Sequence, residues 1–362
     1  MVETPTAERI HSEPDRLWRI VTDYPDIFDS LIVPKLNGND VKFFYDVNTE
    51  SRVAIKRSSG SLCATFKICD FFTKSTLSWA LEKCSEKKER FCVAAVTFAL
   101  SGNLVMLQYL HEKGCPWDED TCTGAARGGH LECLKYSHEN GCPWNEDTCS
   151  SAAQNGHLEI LNYLHEEGCP WDTNTCAAAA LGGQLECLKY AHENGCPWNV
   201  GNCSSAASGG HLECLQYLHE NGCPWDEETC SEAASGGHLD ILKYVREEGC
   251  PWNEGICSEA AKGGHLECLK YAHENGCPWD EETCIAAASG GHLECLQYLH
   301  EKGCPWNEGV CCYAALVGHL ECLKYAHEKG CPWDEWTCLE AANHLECLKY
   351  AHENGCPNGC PI

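Results

Sequence analysis

The triplet Cys-Pro-Trp recurs nine times along this chain, from Trp117 to Trp333, at an unvarying step of 27 residues. The text around each copy is nearly constant, as in GHLECLQYLHENGCPWDEETCSEAASG over 210–236. A fixed period between about 20 and 50 residues is the mark of a stacked array. One such unit cannot bury its own apolar face, and its neighbours supply the rest of the core. The period therefore overrides the division into two or three compact domains that 362 residues would otherwise suggest.

Within one unit, Leu212, Leu215, Leu218 and His219 recur at helical spacing, widened by Cys214 and Tyr217, with Glu213, Gln216 and Glu220 opposite. That spacing predicts an amphipathic helix of about ten residues. Gly222 is placed to end it in the left-handed conformation, and Pro224 blocks continuation. Asp226 then caps a second, shorter helix, with Glu227 and Glu228 in its first turn, where the helix dipole favours acid. The capping column alternates as Asp118, Asn145, Asp172, Asn199, Asp226, Asn253, Asp280, Asn307 and Asp334, two residue types with one physical role. Cys230, Ala233 and Ala234 form the buried stripe of the second helix, and Gly236-Gly237 closes it. No run alternates with the period of a strand, so the fold expected is all-α: a helix-turn-helix solenoid of about ten repeats with a small helical N-terminal segment.

These units resemble the ankyrin repeat. The likeness lies in Gly-His-Leu-Glu opening one helix, Asn-Gly ending it, and Ala-Ala-x-x-Gly-His after that, and it covers roughly Thr73 to Cys356. At 27 residues the unit is shorter than the family's usual 33 or so. The shortfall falls where the family carries its β-hairpin finger, which moves the expected contacts to the inner helices. Three segments follow: 1–72 as a helical cap or docking element, 73–357 as the repeat array, and 358–362 as a tail. Phe91–Leu100 and Thr76–Cys84 read as eroded helices of earlier units.

Charge narrows the function. Residues 1–90 balance at 14 basic and 14 acidic, so 91–362 hold 12 of the chain's 26 basic and 40 of its 54 acidic residues. Such an array repels phosphate backbones and anionic lipid and attracts basic protein surfaces. Neither nucleic acid nor membrane is expected as a partner, and a basic protein is. The N-terminus carries no signal-like apolar stretch and no run approaches a membrane span, so a cytosolic or nuclear location is expected, with most of the 32 cysteines as free thiols.

Three cysteine columns recur, as Cys133, Cys142 and Cys149, together with histidines such as His130 and His138. Cys133 and Cys142 lie nine residues apart along one helix, about 13 Å at 1.5 Å per residue. Equivalent cysteines of adjacent units lie roughly one helix-packing distance apart, ~8–10 Å. Neither separation suits a disulfide, and no CxxC knuckle is present. Only a pair such as Cys142 and Cys149 has the spacing to meet. Core packing is the reading adopted, with no metal or cofactor; the alternative is a thiol-rich metal or redox buffer. His130 and its equivalents are expected to bond backbone groups of a neighbouring unit. His138 and its equivalents lie at a helix C-terminus, which favours the charged form. The tryptophans are expected along the loop edge. No nucleophile–base pair, phosphate loop or carboxylate dyad stands outside the repeat, so no catalysis is expected.

The units differ along the exposed side of the shorter helix, from Thr123-Gly124 through Ser204-Ser205 to Leu339-Glu340. By resemblance to ankyrin arrays that helix lines the concave face. The expected partner-binding strip comprises Arg127, Gln154, Leu181, Lys262, Ile285, Tyr313, Leu316 and Leu339, and it becomes apolar toward its C-terminal third.

The opening segment resembles an F-box in Tyr24-Pro25-Asp26-Ile27-Phe28, Leu31-Ile32, Leu36, Asp40-Val41 and Val47 to Arg52. Tyr24 stands for the motif's leading Leu, Asn48 for its Cys and Ser51 for its Trp. The resemblance implies docking to the small adaptor of a cullin-type ubiquitin ligase through Pro25, Ile27, Phe28, Leu31, Ile32, Leu36 and Val41. The alternative is a plain helical cap for the array.

Overall fold

Each described unit but the last folds as two α-helices joined by a glycine turn, because its two apolar stripes are short and each is bounded by a cap and a glycine. The computed structural model describes residues 92–253 and 255–356. Twenty α-helices and one 3₁₀ turn lie among the described residues, and no strand does. The F-box-like residues Pro25 to Val41, the helix expected over Thr76–Cys84 and the tail at 358–362 lie outside them.

The chain divides into two compact units, Met1–Thr148 and Cys149–Ile362. In the first, α1 (Cys92–Leu100) pairs with α2 (Leu104–Glu112), and α3 (Glu119–Gly128) with α4 (Leu131–Glu139); α5 (Glu146–Gln154) begins there. In the second, the rest of α5 pairs with α6 (Leu158–Glu166), then α7 (Thr173–Leu181) with α8 (Leu185–Glu193) and α9 (Val200–Gly209) with α10 (Leu212–Glu220). The pairs α11 (Glu227–Ser235) with α12 (Leu239–Glu247), α13 (Gly255–Gly263) with α14 (Leu266–Glu274), and α15 (Glu281–Gly290) with α16 (Leu293–Glu301) follow. Last come α17 (Glu308–Val317) with α18 (Leu320–Glu328) and α19 (Glu335–Glu340) with α20 (Leu345–Glu353). Odd-numbered helices are the first of each pair, even-numbered the second.

The two helix types are equal in length. The Leu-Glu-Cys-Leu helix spans nine residues and the alanine-rich one nine or ten, so the expectation of a longer and a shorter helix does not hold. The cap at Asp226 and the glycine after Ser235, and not the short Cys230–Ala234 stripe, set the length of the first helix. The last pair is the exception. Two residues fewer before His344 cut α19 to six residues and turn its end into 3₁₀ geometry over Ala341–Asn343.

Asp118 heads α3 without a side-chain cap bond, but further along the column the caps fall where the alternation puts them. The side chains of Asp172, Asn199, Asp226, Asn253, Asp280, Asn307 and Asp334 accept the backbone N–H two residues on, at 2.9–3.1 Å. Gly222, at φ 83°, ends α10 and lets Cys223 N–H reach back to Leu218 O at 2.9 Å.

In the second unit, consecutive first helices lie much closer together than consecutive second helices. Small residues permit it: Ala179 and Ala180, Ala206 and Ala207, Ala233 and Ala234 are all fully buried. Glycine completes the approach, as a Cβ on Gly182 would run into the carbonyl oxygen of Gln154 on the preceding first helix. Hydroxyl pairs bridge the same gap, Ser204 to Thr229 at 3.4 Å and Ser258 to Thr283 at 3.1 Å; in the first unit Thr123 meets Thr148 at 3.0 Å.

Candidate protein-binding face

Most chemically distinctive side chains are committed to holding the pairs together. Of the described cysteines, all but Cys92 and Cys312 are buried. The thiol of the loop cysteine donates to the carbonyl of the residue capping the first helix of its own pair: Cys223 Sγ to Asn199 O at 3.2 Å, Cys250 to Asp226 at 3.1 Å, and Cys277 to Asn253 at 3.1 Å. The second helix returns the chain to where the first began, so the loop cysteine meets the first-helix cysteine twenty residues earlier, Cys203 with Cys223 and Cys257 with Cys277. The pairing expected across the following turn, seven residues apart, is thus replaced by one within the antiparallel helix pair. The hydrogen bond to Cys223 and burial together hold the Cys203 thiol firmly protonated. Burial pushes Cys187, Cys214 and Cys268 of the second-helix column up to about 11. Among the described residues no group of three or more His, Cys, Asp or Glu is arranged to hold a metal ion.

The His138 column forms the loop edge with the tryptophans. His138 stacks on Trp144 at 3.4 Å between ring centroids and 8° between planes, and His192 on Trp198 at 3.6 Å and 9°. A tyrosine from the next second helix then packs edge-on, as Tyr244 does against Trp225 at 6.2 Å and 71°. In the one unit with arginine in place of this histidine, the Arg246 guanidinium lies 4.6 Å over Trp252. Burial, then Lys302, lowers the His273 pKa below the ordinary imidazole value, with Glu274 opposing. For this residue the charged form expected from the helix C-terminus is therefore disfavoured: desolvation outweighs the dipole. The His130 column packs its rings on the left-handed glycine one unit earlier, His238 on Gly210 (φ 78°). His238 Nε2–H donates to Ser208 O at 3.1 Å, the backbone contact anticipated for that column.

What remains exposed on the first helices is the strip that varies. Arg127 and Gln154 are exposed, as are Leu181, Lys262, Tyr313, Leu316 and Leu339. Ile285 is not: at 9% exposure it is buried, with its Cδ1 only 2.7 Å from where a Cβ on Gly309 would stand. The glycine at 309 opens the slot that takes it. Thr123, Ser151 and Ser204, expected on an open side, are buried as well, because the neighbouring first helix covers them. Two exposed residues of the same face were not anticipated, Val317 and Trp336, at 45% and 55%. Trp336 had a signal in its column, where the other units carry Asp, Asn, Gly or Glu.

Charge on the second helices is partly compensated along the helix. Lys189 bridges to Glu186 at 3.0 Å, Lys270 to Glu267 at 2.8 Å and Lys324 to Glu321 at 2.9 Å. On the first helices of the second unit, Glu227, Glu228, Glu232 and Glu259 line one shallow groove between α11 and α13. No helix among the described residues is long and apolar enough to cross a membrane.

Comparison with known proteins agrees with the repeat reading. Residues 257–300 match the family model of the ankyrin repeats (many copies). No curated protein matches the chain. Among solved structures, a crystal structure of the human ASB11 ankyrin repeat domain is 20% identical, covering 52% of this chain and 99% of that one, with a TM-score of 0.42. The matched stretch, Cys257 to His300, repeats the framework of the units around it, so the likeness to ankyrin repeats is one of sequence and recurs with the period.

Proposed function

We propose that the chain is a non-catalytic protein-interaction scaffold whose partner, basic in character, is held on the exposed side of the first helices. One observation carries this reading. Of the eight exposed large apolar residues among the described residues of the second unit, six lie on first helices, Leu181, Tyr313, Leu316, Val317, Trp336 and Leu339. Second helices and loops spend their apolar and aromatic groups on packing, and exposed apolar area that packing leaves over is where protein partners bind. The closer spacing of the first helices supports placing them on the concave side of that unit. The excess of carboxylates over bases beyond residue 90 supports a basic partner. The non-catalytic reading follows the ankyrin likeness, which is to a class of interaction scaffolds.

The test is affinity capture with the full chain and with a variant carrying Leu181→Ser, Tyr313→Ser and Leu339→Ser. Loss of the captured protein with retained helical circular dichroism supports the assignment; unchanged capture refutes it. The F-box-like residues motivate a second reading, recruitment to a ubiquitin ligase. Phe28→Ser with Leu31→Ser in the full chain should then abolish capture of the ligase adaptor, and no adaptor in the unsubstituted capture would rule it out.

A further inference from the structure

The first-helix face of the second unit changes character along five consecutive helices, and the change has a direction. Between α11 and α13 the groove is lined by Glu227, Glu228, Glu232 and Glu259 together with Ser231 and Ser235. Lys262, at the end of α13, is the one exposed base near it on these helices. On α15, Glu281 and Glu282 keep the exposed carboxylates of Glu227 and Glu228, while the small residues Ala286 and Ser289, both half-buried, stand in the places of Glu232 and Ser235. On α17 and α19, beside the exposed Glu308 and Glu335, the face turns apolar: Tyr313, Leu316, Val317, Trp336 and Leu339 are each between 38% and 55% exposed. A patch of this kind on a scaffold otherwise well packed calls for an occupant, and the carboxylates beside it specify the charge of what lies alongside.

We infer that this face takes a single extended segment of a partner protein with two recognition blocks. A Lys/Arg block sits over the α11–α13 groove, and an apolar block of branched or aromatic residues sits on α17 and α19. The inference rests on the function proposed above and deepens it by naming the occupant. The blocks are three packing steps apart, ~24–30 Å. At ~3.3 Å per residue for an extended chain, that is roughly seven to nine residues between block centres. Extended rather than helical backbone fits the short side chains between the two ends. Ser289 on α15 lies between them; its hydroxyl donates to Ala286 O at 3.0 Å and keeps its oxygen free to accept a peptide N–H.

The two ends reinforce each other through effective concentration, because a block docked at one end delivers the other to its site. The test is fluorescence anisotropy on the full chain with labelled synthetic peptides. One carries four basic residues and a Leu-Phe-Leu block with centres eight residues apart across a Gly/Ser spacer. The others carry the basic block alone, the apolar block alone, or both with centres eighteen apart, which suits a helix. Each two-block peptide is made in both sequence orders, since the face does not fix chain direction. Expected is binding by the eight-residue peptide at least tenfold tighter than by either single block and tighter than by the longer one. Glu228→Gln with Glu232→Gln should reduce it to the level of the apolar block. Tyr313→Ser with Leu339→Ser should reduce it to the level of the basic block, and 300 mM salt should weaken only the basic contribution. All four positions face solvent at least in part, so the fold is retained and circular dichroism verifies it. Equal binding by one-block and two-block peptides in both orders overturns the inference, as does tighter binding by the longer peptide. Two-block binding that is unmoved by both sets of substitutions also overturns it, while leaving a protein-binding function elsewhere on the chain intact.

Discussion

Adding one methyl group at Gly182 tests how the first helices pack. Gly182 follows α7 with φ −83°, a conformation any residue adopts. At an open site of that geometry Gly→Ala stabilises by about 0.4–1 kcal/mol, because it restricts the unfolded chain. Here the new Cβ would meet Gln154 of the preceding first helix, its carbonyl oxygen first, with the carbonyl carbon at 2.9 Å and Cα at 3.2 Å. Carbon contacts settle near 3.5–4.0 Å, so the two helices must part by roughly 0.6–1 Å. Overpacking of this sort costs about 1–3 kcal/mol, and the upper end applies because the obstacle is backbone and cannot rotate away. Two other glycines calibrate the result. A Cβ on Gly201 would have only the Asn199 side chain near it, at 3.2 Å, so alanine there should be neutral or slightly stabilising. Gly222 has nothing within 4 Å but sits at φ 83°, so alanine pays only the left-handed penalty of about 1–2 kcal/mol. Urea unfolding of the full chain followed by far-UV circular dichroism should rank stability as Gly201→Ala, then Gly222→Ala, then Gly182→Ala. In a thermal melt the last should lose roughly 6–12 °C at 2–4 °C per kcal/mol. Equal stability of Gly182→Ala and Gly201→Ala would mean that the first helices are not in backbone contact, and the packing argument would fail.

Three further outcomes follow from the same geometry. His273 faces Trp279 at 3.6 Å and Tyr298 at 6.1 Å, with Lys302 and Glu274 as the charged groups acting on it. Its lowered pKa means that the unfolded chain binds the proton first, so stability should decline as pH falls from about 6.5 through the folded value; His273→Gln should flatten the urea midpoint's pH dependence over that window, and an unaltered slope would contradict the burial argument. Among the described cysteines, native-state maleimide labelling at pH 8 followed by peptide mass spectrometry should modify Cys92 and Cys312 first, and should leave Cys187, Cys214 and Cys268, at about 11, unmodified until the chain unfolds. Arg246→Ala should cost about 1 kcal/mol by removing the cation–π contact with Trp252, while Arg246→His should restore a ring stack and most of that stability; equal loss in both variants would show that the stack contributes nothing.

Much of this fold is legible in the sequence because its signals are local and repeated. From Asp118 on, the Asp/Asn column marks the start of each first helix, Gly222 and its equivalents mark the end of each second helix, and from Asp172 to Asp334 the caps are satisfied by bonds within a few residues. What was hard to read depends on the distance between neighbouring helices. Thr123, Ser204 and Ile285 look like surface residues on a helical wheel, yet they are buried because the next first helix stands within reach of their side chains. Gly309, one unit later, decides the fate of Ile285, and no local pattern connects the two. The thiol pairs twenty residues apart follow from the return of the second helix and not from spacing along the turn. The His–Trp stack did leave a signal. The two rings sit six residues apart, as at His192 and Trp198, and Arg246, the other side chain that binds a ring face, fills that place before Trp252. The strip proposed for the partner was legible as variation but not as exposure: on the same face Trp336 is exposed where the sequence carries little sign of it, and Ile285 is buried.

Hydroxyl-radical footprinting of the full chain, with and without the protein it captures, tests the central claim most directly. If the partner sits on the first helices of the second unit, oxidation of Tyr313, Leu316, Trp336 and Leu339 falls on binding. The half-buried tryptophans of the loop edge, Trp225, Trp279 and Trp306, keep their reactivity, because their rings are already committed to His219, His273 and His300. Protection of those tryptophans with no change at Tyr313 or Leu339 would place the partner on the loop edge and contradict the account.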